Sequence, residues 1–267
     1  MQSPLYAGPA YKYISAESFK KLLTGRSIWY TRGDRFNDPY EANPYMVPVG
    51  WKDMVKLDKS NVQMNLALAT SAFHQLFSKL YITCFSMRSN SQLMWSHYAD
   101  AHKGICFGMD LPGNNPEIYT LGDPVPVAVT YCKSLFDERE KRHMKSEDLP
   151  LYMSTFKSDE WAYEQEVRMV LHTGNDIEGR FKIINDGYHA TVPLDIKRIN
   201  KVIFGARLSV KDEDDIVKLF CNQGHLPEFY RMDLNPVTLE FFEERLPIRE
   251  AIMAFNKNSG NGEGKIA

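Results

Sequence analysis

Three segments concentrate the side chains that could do chemistry: Arg35 to Glu41, Met94 to Gly104 and Trp161 to Arg168. The last is the most informative. Read as a strand, the run Trp161-Ala162-Tyr163-Glu164-Gln165-Glu166-Val167-Arg168-Met169-Val170-Leu171 sends Val167, Met169 and Leu171 to the core and Glu164, Glu166 and Arg168 to the opposite face. Two carboxylates and a guanidinium in a row make either a plain solvent face with cross-pairing charges or a cleft wall. In the second case Arg168 holds one carboxylate while the other acts on a substrate.

The middle segment supplies groups that titrate, stack and hydrogen-bond. His97 has an ordinary pKa near neutrality and can donate or accept a proton, while Trp95 and Tyr98 can stack on a nucleobase or nicotinamide ring. An amphipathic helix would also use these aromatics to fill its buried side. The first segment offers Asn37 and Asp38, which either bind a ligand or cap their own turn. Lys12, between Tyr11 and Tyr13, could hold a phosphate. Phosphate-loop, dinucleotide-fingerprint and nucleophile-elbow motifs are missing. His97 and His102 stand five apart, which is wrong for one helical face, so no metal is expected.

The elements that must position these residues read as follows. Tyr11 to Ile14 is extended, Ser15 caps a helix to Leu23 that Gly25 stops, and Ser27 to Thr31 is a strand before a loop from Gly33 to Pro39. Val62, Leu66, Ala69, Phe73, Leu76 and Leu80 share one face of a long predicted helix, with His74 beside that stripe. Tyr81 to Ser86 is a strand and Ser91 to His102 a helix ended by Gly104. Ile105, Phe107 and Met109 alternate as in a half-buried strand, and Val125, Val127, Val129 and Tyr131 repeat the alternation. Ser134 to Lys145 reads as a solvated helix. Lys201 to Gly205 is a strand, Ser209 caps a helix through Gln223, and Glu228 to Met232 and Thr238 to Glu243 read as closing strands. Seven or eight strands and about five helices do not alternate strictly. The expectation is an α+β fold with a mixed or antiparallel sheet core, as one domain over residues 1–255 with a loose tail from Asn256 to Ala267.

Bulk composition excludes several function classes. A net charge of −2 over 267 residues gives no global attraction to nucleic acid or an anionic membrane. No window approaches twenty consecutive apolar residues, and Met1 to Tyr13 lacks the pattern of a secretory signal. Cys84, Cys106, Cys132 and Cys221 form no C-x-x-C pair, so a reducing, cytoplasmic compartment is expected. Nothing in the sequence specifies an oligomeric state.

Taken together, Tyr11-Lys12-Tyr13, Phe36-Asn37-Asp38-Pro39-Tyr40-Glu41, Ile82-Thr83-Cys84-Phe85-Ser86, Met94-Trp95-Ser96-His97-Tyr98-Ala99-Asp100 with His102-Lys103-Gly104, and Trp161 to Arg168 resemble the bacterial family called domain of unknown function 2971, from about Tyr11 to Gly205. A looser likeness is to ADP-ribosyltransferases, mixed α+β domains with a basic residue or His on an early strand, Ser or Tyr on a second and a catalytic Glu on a late one. The corresponding places here are Lys12 and Tyr13, then Tyr30, then Glu166. The first strand carries no Arg or His, and Glu164 stands beside Glu166 as an alternative. This likeness implies an NAD-consuming transferase, acting as a toxin or anti-phage defence effector. Glu166 would hold a ribose hydroxyl, His97 would position it or the acceptor, and Lys12 and Arg168 would contact phosphates. Trp95 or Tyr98 would stack the nicotinamide, with Ser86 and Lys103 completing the binding set. NAD is then the expected substrate and a protein or nucleic acid the acceptor. The alternatives are a metal-independent nuclease or other hydrolase using His97 with Glu164 or Glu166, and a non-enzymatic module that binds a nucleotide or protein.

Overall fold

The computed structural model describes residues 5–36, 38, 71, 75, 78–111, 124–133, 155–173, 181–248 and 252. Of the expected helix at Val62 to Leu76 only Ser71 and Gln75 are described, both helical; the expected helix at Ser134 to Lys145, His74, Asn37 and the tail from Asn256 lie outside the described residues. The fold is mixed α+β, and its chain divides into two compact units, each assembled from three separated segments. Unit 1 comprises residues 1–8, 28–85 and 112–193; unit 2 comprises residues 9–27, 86–111 and 194–267.

Unit 2 carries β1 (Gly8–Ile14), α1 (Ala16–Gly25), α2 (Gln92–Tyr98), β4 (Ile105–Leu111), β11 (Ile199–Phe204), α3 (Val210–Asn222), β12 (Glu228–Leu234) and β13 (Phe241–Leu246). Its strands run in the order β13-β12-β11-β4-β1, with β11 parallel to β12 and antiparallel to β4, and β12 antiparallel to β13. Parallel neighbours need a long crossover, and α3 provides it. The Ser15 and Ser209 hydroxyls accept from the amides three residues on, as N-caps do. Phe19 of α1 stacks 5.2 Å from Phe107, and Phe220 of α3 packs edge-on to Phe229 at 5.9 Å, so both helices drive aromatic rings into one face of the sheet.

Unit 1 carries β2 (Ser27–Arg32), most of β3 (Leu80–Ser86), β5 (Val125–Ala128), β6 (Thr130–Cys132), β7 (Phe156–Ser158), β8 (Glu166–His172), β9 (Lys182–Ile183) and β10 (His189–Pro193). The order is β5-β8-β3-β2-β10-β9, with β6 and β7 forming a separate parallel pair.

Several boundaries differ from the sequence reading. The helix expected to Leu23 with Gly25 as its stop runs through Gly25, and Arg26 takes the left-handed cap (φ 46°). The helix expected to reach His102 ends at Tyr98, because Asp100, Ala101 and His102 are all left-handed. Leu80 opens β3 and is not the end of a helix. Strand β4 is not half-buried: only Asp110 is exposed along it, so side chains on both its faces are covered. Strand β13 starts at Phe241, three residues late, since the Asn235 side chain accepts from Val237 and Thr238 and turns the chain there.

Candidate functional site

The late acidic segment is not one continuous strand. Asp159 to Glu164 form a 3-10 helix capped by the Ser158 hydroxyl, Gln165 takes a left-handed conformation (φ 44°), and only then does β8 begin. Glu164, at the end of that 3-10 helix, and Glu166, at the start of β8, are both buried. Glu164, Glu166 and Arg168 are 3%, 4% and 1% exposed, which rules out the solvent-face reading.

Lys157 of β7, also buried, completes the cluster. Its Nζ lies 2.7 Å from Glu164 Oε2 and 3.4 Å from Glu166 Oε2. Arg168 grips Glu166 with two parallel hydrogen bonds, Nε to Oε1 at 2.8 Å and Nη2 to Oε2 at 2.9 Å. The Trp161 ring lies 4.6 Å from Lys157 Nζ, and the Phe36 ring 5.3 Å from the Arg168 guanidinium. Two cations and two anions balance, which is how buried charge is tolerated. Burial pushes the Glu166 carboxyl up, but Arg168, Lys157 and the Cys84 thiol outweigh it and hold the group at about 2. Near neutral pH Glu166 is therefore a fixed anion, unsuited to shuttling protons. Its backbone N–H donates to the Tyr131 hydroxyl at 2.8 Å, and burial pushes that phenol's own ionisation upward.

The remaining candidates divide between the units. Tyr30 and Asp38 are buried in unit 1. Lys12, Tyr13, Ser86, Trp95, His97, Tyr98 and Lys103 belong to unit 2. Trp95 is wholly buried, donates its indole N–H to the Ser89 carbonyl at 2.8 Å and meets Tyr13 edge-on at 5.3 Å. It is a core residue with no face open for a nicotinamide. Tyr13 is likewise buried, its hydroxyl donating to the Arg88 carbonyl at 2.8 Å. Ser86 is buried and its hydroxyl accepts from the Arg88 amide at 3.1 Å. Lys12 and Tyr98 are half-buried. His97 and Lys103 are exposed, and the His97 ring lies 6.2 Å from that of Tyr98.

The sequence reading missed Lys157, because a lysine in the short run Phe156-Lys157-Ser158 carries no motif. Cys84 was given no part in the site, although its thiol donates to Glu166. Among the described residues no group of three His, Cys, Asp or Glu could hold a metal ion, and no helix is long and apolar enough to cross a membrane.

One comparison bears on this cluster. Residues 94–169 match a family model. It is described as Protein of unknown function (DUF2971). The DUF2971 match spans α2 at one end and Lys157, Glu164, Glu166 and Arg168 at the other, supporting the resemblance drawn from those motifs over that stretch. No curated protein and no solved structure matches the chain.

Proposed function

We propose that the chain is an NAD-consuming transferase of the ADP-ribosyltransferase-like kind, with Glu166 as its charge-stabilising group. One observation supports this over the other enzymatic reading: Arg168 grips the Glu166 carboxylate through two hydrogen bonds of 2.8 Å and 2.9 Å with Lys157 beside it, an arrangement that favours the ionised form. Breaking the bond between nicotinamide and ribose builds positive charge on the sugar, and a preorganised anion in a dry setting stabilises it. A nuclease would need its carboxyl near neutrality to trade protons, and Glu166 is far from that. The Lys157 contact on Glu166, at 3.4 Å, is longer than the two from Arg168 at 2.8 Å and 2.9 Å, and a ribose hydroxyl would replace it more easily than those. Glu164 keeps Lys157 engaged at 2.7 Å while that happens.

The charge balance of the same cluster favours one competitor, a non-enzymatic binding module in which the four charges serve as an internal strut. Nicotinamide release from labelled NAD separates the two. On the transferase reading, the purified chain releases nicotinamide in the presence of protein and nucleic-acid acceptors, and Glu166→Gln lowers the rate at least about 100-fold while circular dichroism stays native. Intact NAD across that panel sinks the proposal.

A further inference from the structure

A second constellation lies elsewhere in unit 1, on the β2-β10-β9 part of its sheet. Trp29 of β2 leaves 53% of its surface in water, unusual for the largest apolar side chain. Its ring lies 5.5 Å from the His189 imidazole, tilted by 54°. That imidazole is aimed by its own hairpin. The turn Ile184-Asn185-Asp186-Gly187 closes through Gly187 N–H to the Ile184 carbonyl at 2.8 Å, and Gly187 takes the left-handed conformation such turns require (φ 68°). Asp186 then accepts from the amides of Tyr188 and His189 through Oδ1, and its Oδ2 meets His189 Nδ1 at 2.7 Å.

The carboxylate fixes the tautomer of the ring. With Asp186 ionised, Nδ1 donates to it, and in the neutral ring Nε2 is an acceptor. Among the described residues Nε2 has no hydrogen-bond partner, and the side chain stays 34% exposed. An oriented imidazole with an idle acceptor beside an open indole is a recognition pair. A planar ring would stack on Trp29 and offer an N–H to Nε2.

A cation stands on the same face. His189 and Thr191 alternate onto one side of β10, and Thr191 pairs directly with Lys182 of β9, so Lys182 projects from that side too. Lys182 is exposed and has no carboxylate partner among the described residues. Strands β2, β10 and β9 together span about 10 Å, the scale of one mononucleotide.

We infer that Trp29, His189 and Lys182 form a binding site for an adenine nucleotide, the base stacked on Trp29 with its exocyclic amine donating to His189 Nε2 and the 5′-phosphate at Lys182. The site uses neither Glu166 nor NAD cleavage and stands apart from the transferase reading.

Titration of the full chain with 5′-AMP, followed by calorimetry, tests it. Trp29→Ala weakens AMP binding about 10-fold or more, as loss of a stacked base does. Inosine 5′-monophosphate, which has a carbonyl where adenine has the amine, binds about 10-fold more weakly than AMP to the native chain and equally to His189→Ala. Lys182→Ala weakens AMP but leaves adenosine unchanged. Glu166→Gln leaves AMP affinity unaltered. No AMP binding at millimolar concentration overturns the inference, as does binding indifferent to Trp29→Ala and His189→Ala. AMP binding as described, with no nicotinamide released from NAD, upholds this site and removes the transferase proposal alone.

Discussion

Glu166 links sequence to measurable behaviour most directly. Its carboxyl titrates near 4.5 when exposed and near 2 in the folded chain. The unfolded chain therefore takes up the proton first as pH falls. Stability from this group is complete above about 4.5 and is lost progressively towards pH 2, with a total on the order of 3 kcal/mol. Urea unfolding at stepped pH checks this: the midpoint falls between pH 4.5 and 2 in the native chain, and that component is missing from Glu166→Gln. The residues of the cluster were partly legible, since Glu164, Glu166 and Arg168 stand out in the sequence by their spacing. Their depth was not, because alternation separates the two faces of a strand without saying that both faces of β8 are buried, Glu166 to Leu171 alike.

At the scale of elements, the turn from Ala99 to Gly104 governs how α2 hands over to β4. Gly104 N–H donates to the Ala99 carbonyl at 2.8 Å, and Gly205 N–H to the Gly104 carbonyl at 3.0 Å, so β11 ends against this turn. A Cβ on Gly205 would run into the His102 carbonyl oxygen and come within 2.8 Å of the Gly104 oxygen. Both obstacles are backbone and cannot rotate away. Gly205→Ala therefore destabilises the chain by about 3 kcal/mol or more, which thermal unfolding reads directly. The caps Ser15 and Ser209 both accept where their position predicts, whereas Ser91, read as the first helical residue, is the N-cap of α2. The early end of α2 was not legible, since Asp100, Ala101 and His102 are left-handed for the sake of carbonyls that only the folded chain brings near, such as the His102 oxygen that accepts from Arg207.

For the whole molecule, the decisive fact is that each unit is stitched from three stretches of chain. No linker-like composition marks a boundary, because the chain passes between units inside strands and turns, as at Phe85 to Ser86 in β3. Alternation and helix periodicity report local burial and are blind to which distant segment covers a strand. That is why β4 passed for a half-buried strand when Ile105 to Met109 are all buried; β11, far along the chain, pairs its edge, Val202 with Phe107 and Ile203 with Cys106. It follows that a chain cut after Pro193 leaves β4 as a doubly apolar strand with a bare edge. Size-exclusion chromatography of that fragment shows aggregates in place of a monodisperse peak.

Charge pairs in this chain meet water in two ways. In unit 2, Lys20 with Asp212 and Lys21 with Glu17 pair at 2.9 Å and 2.6 Å at the surface, within reach of dissolved ions. In unit 1 the Lys157-Glu164-Glu166-Arg168 quartet is almost wholly buried, each side chain at most 4% exposed, and sums to zero. Ionic strength thus acts on one kind of pair and passes by the other. Added salt therefore screens the quartet far less than it screens the surface pairs.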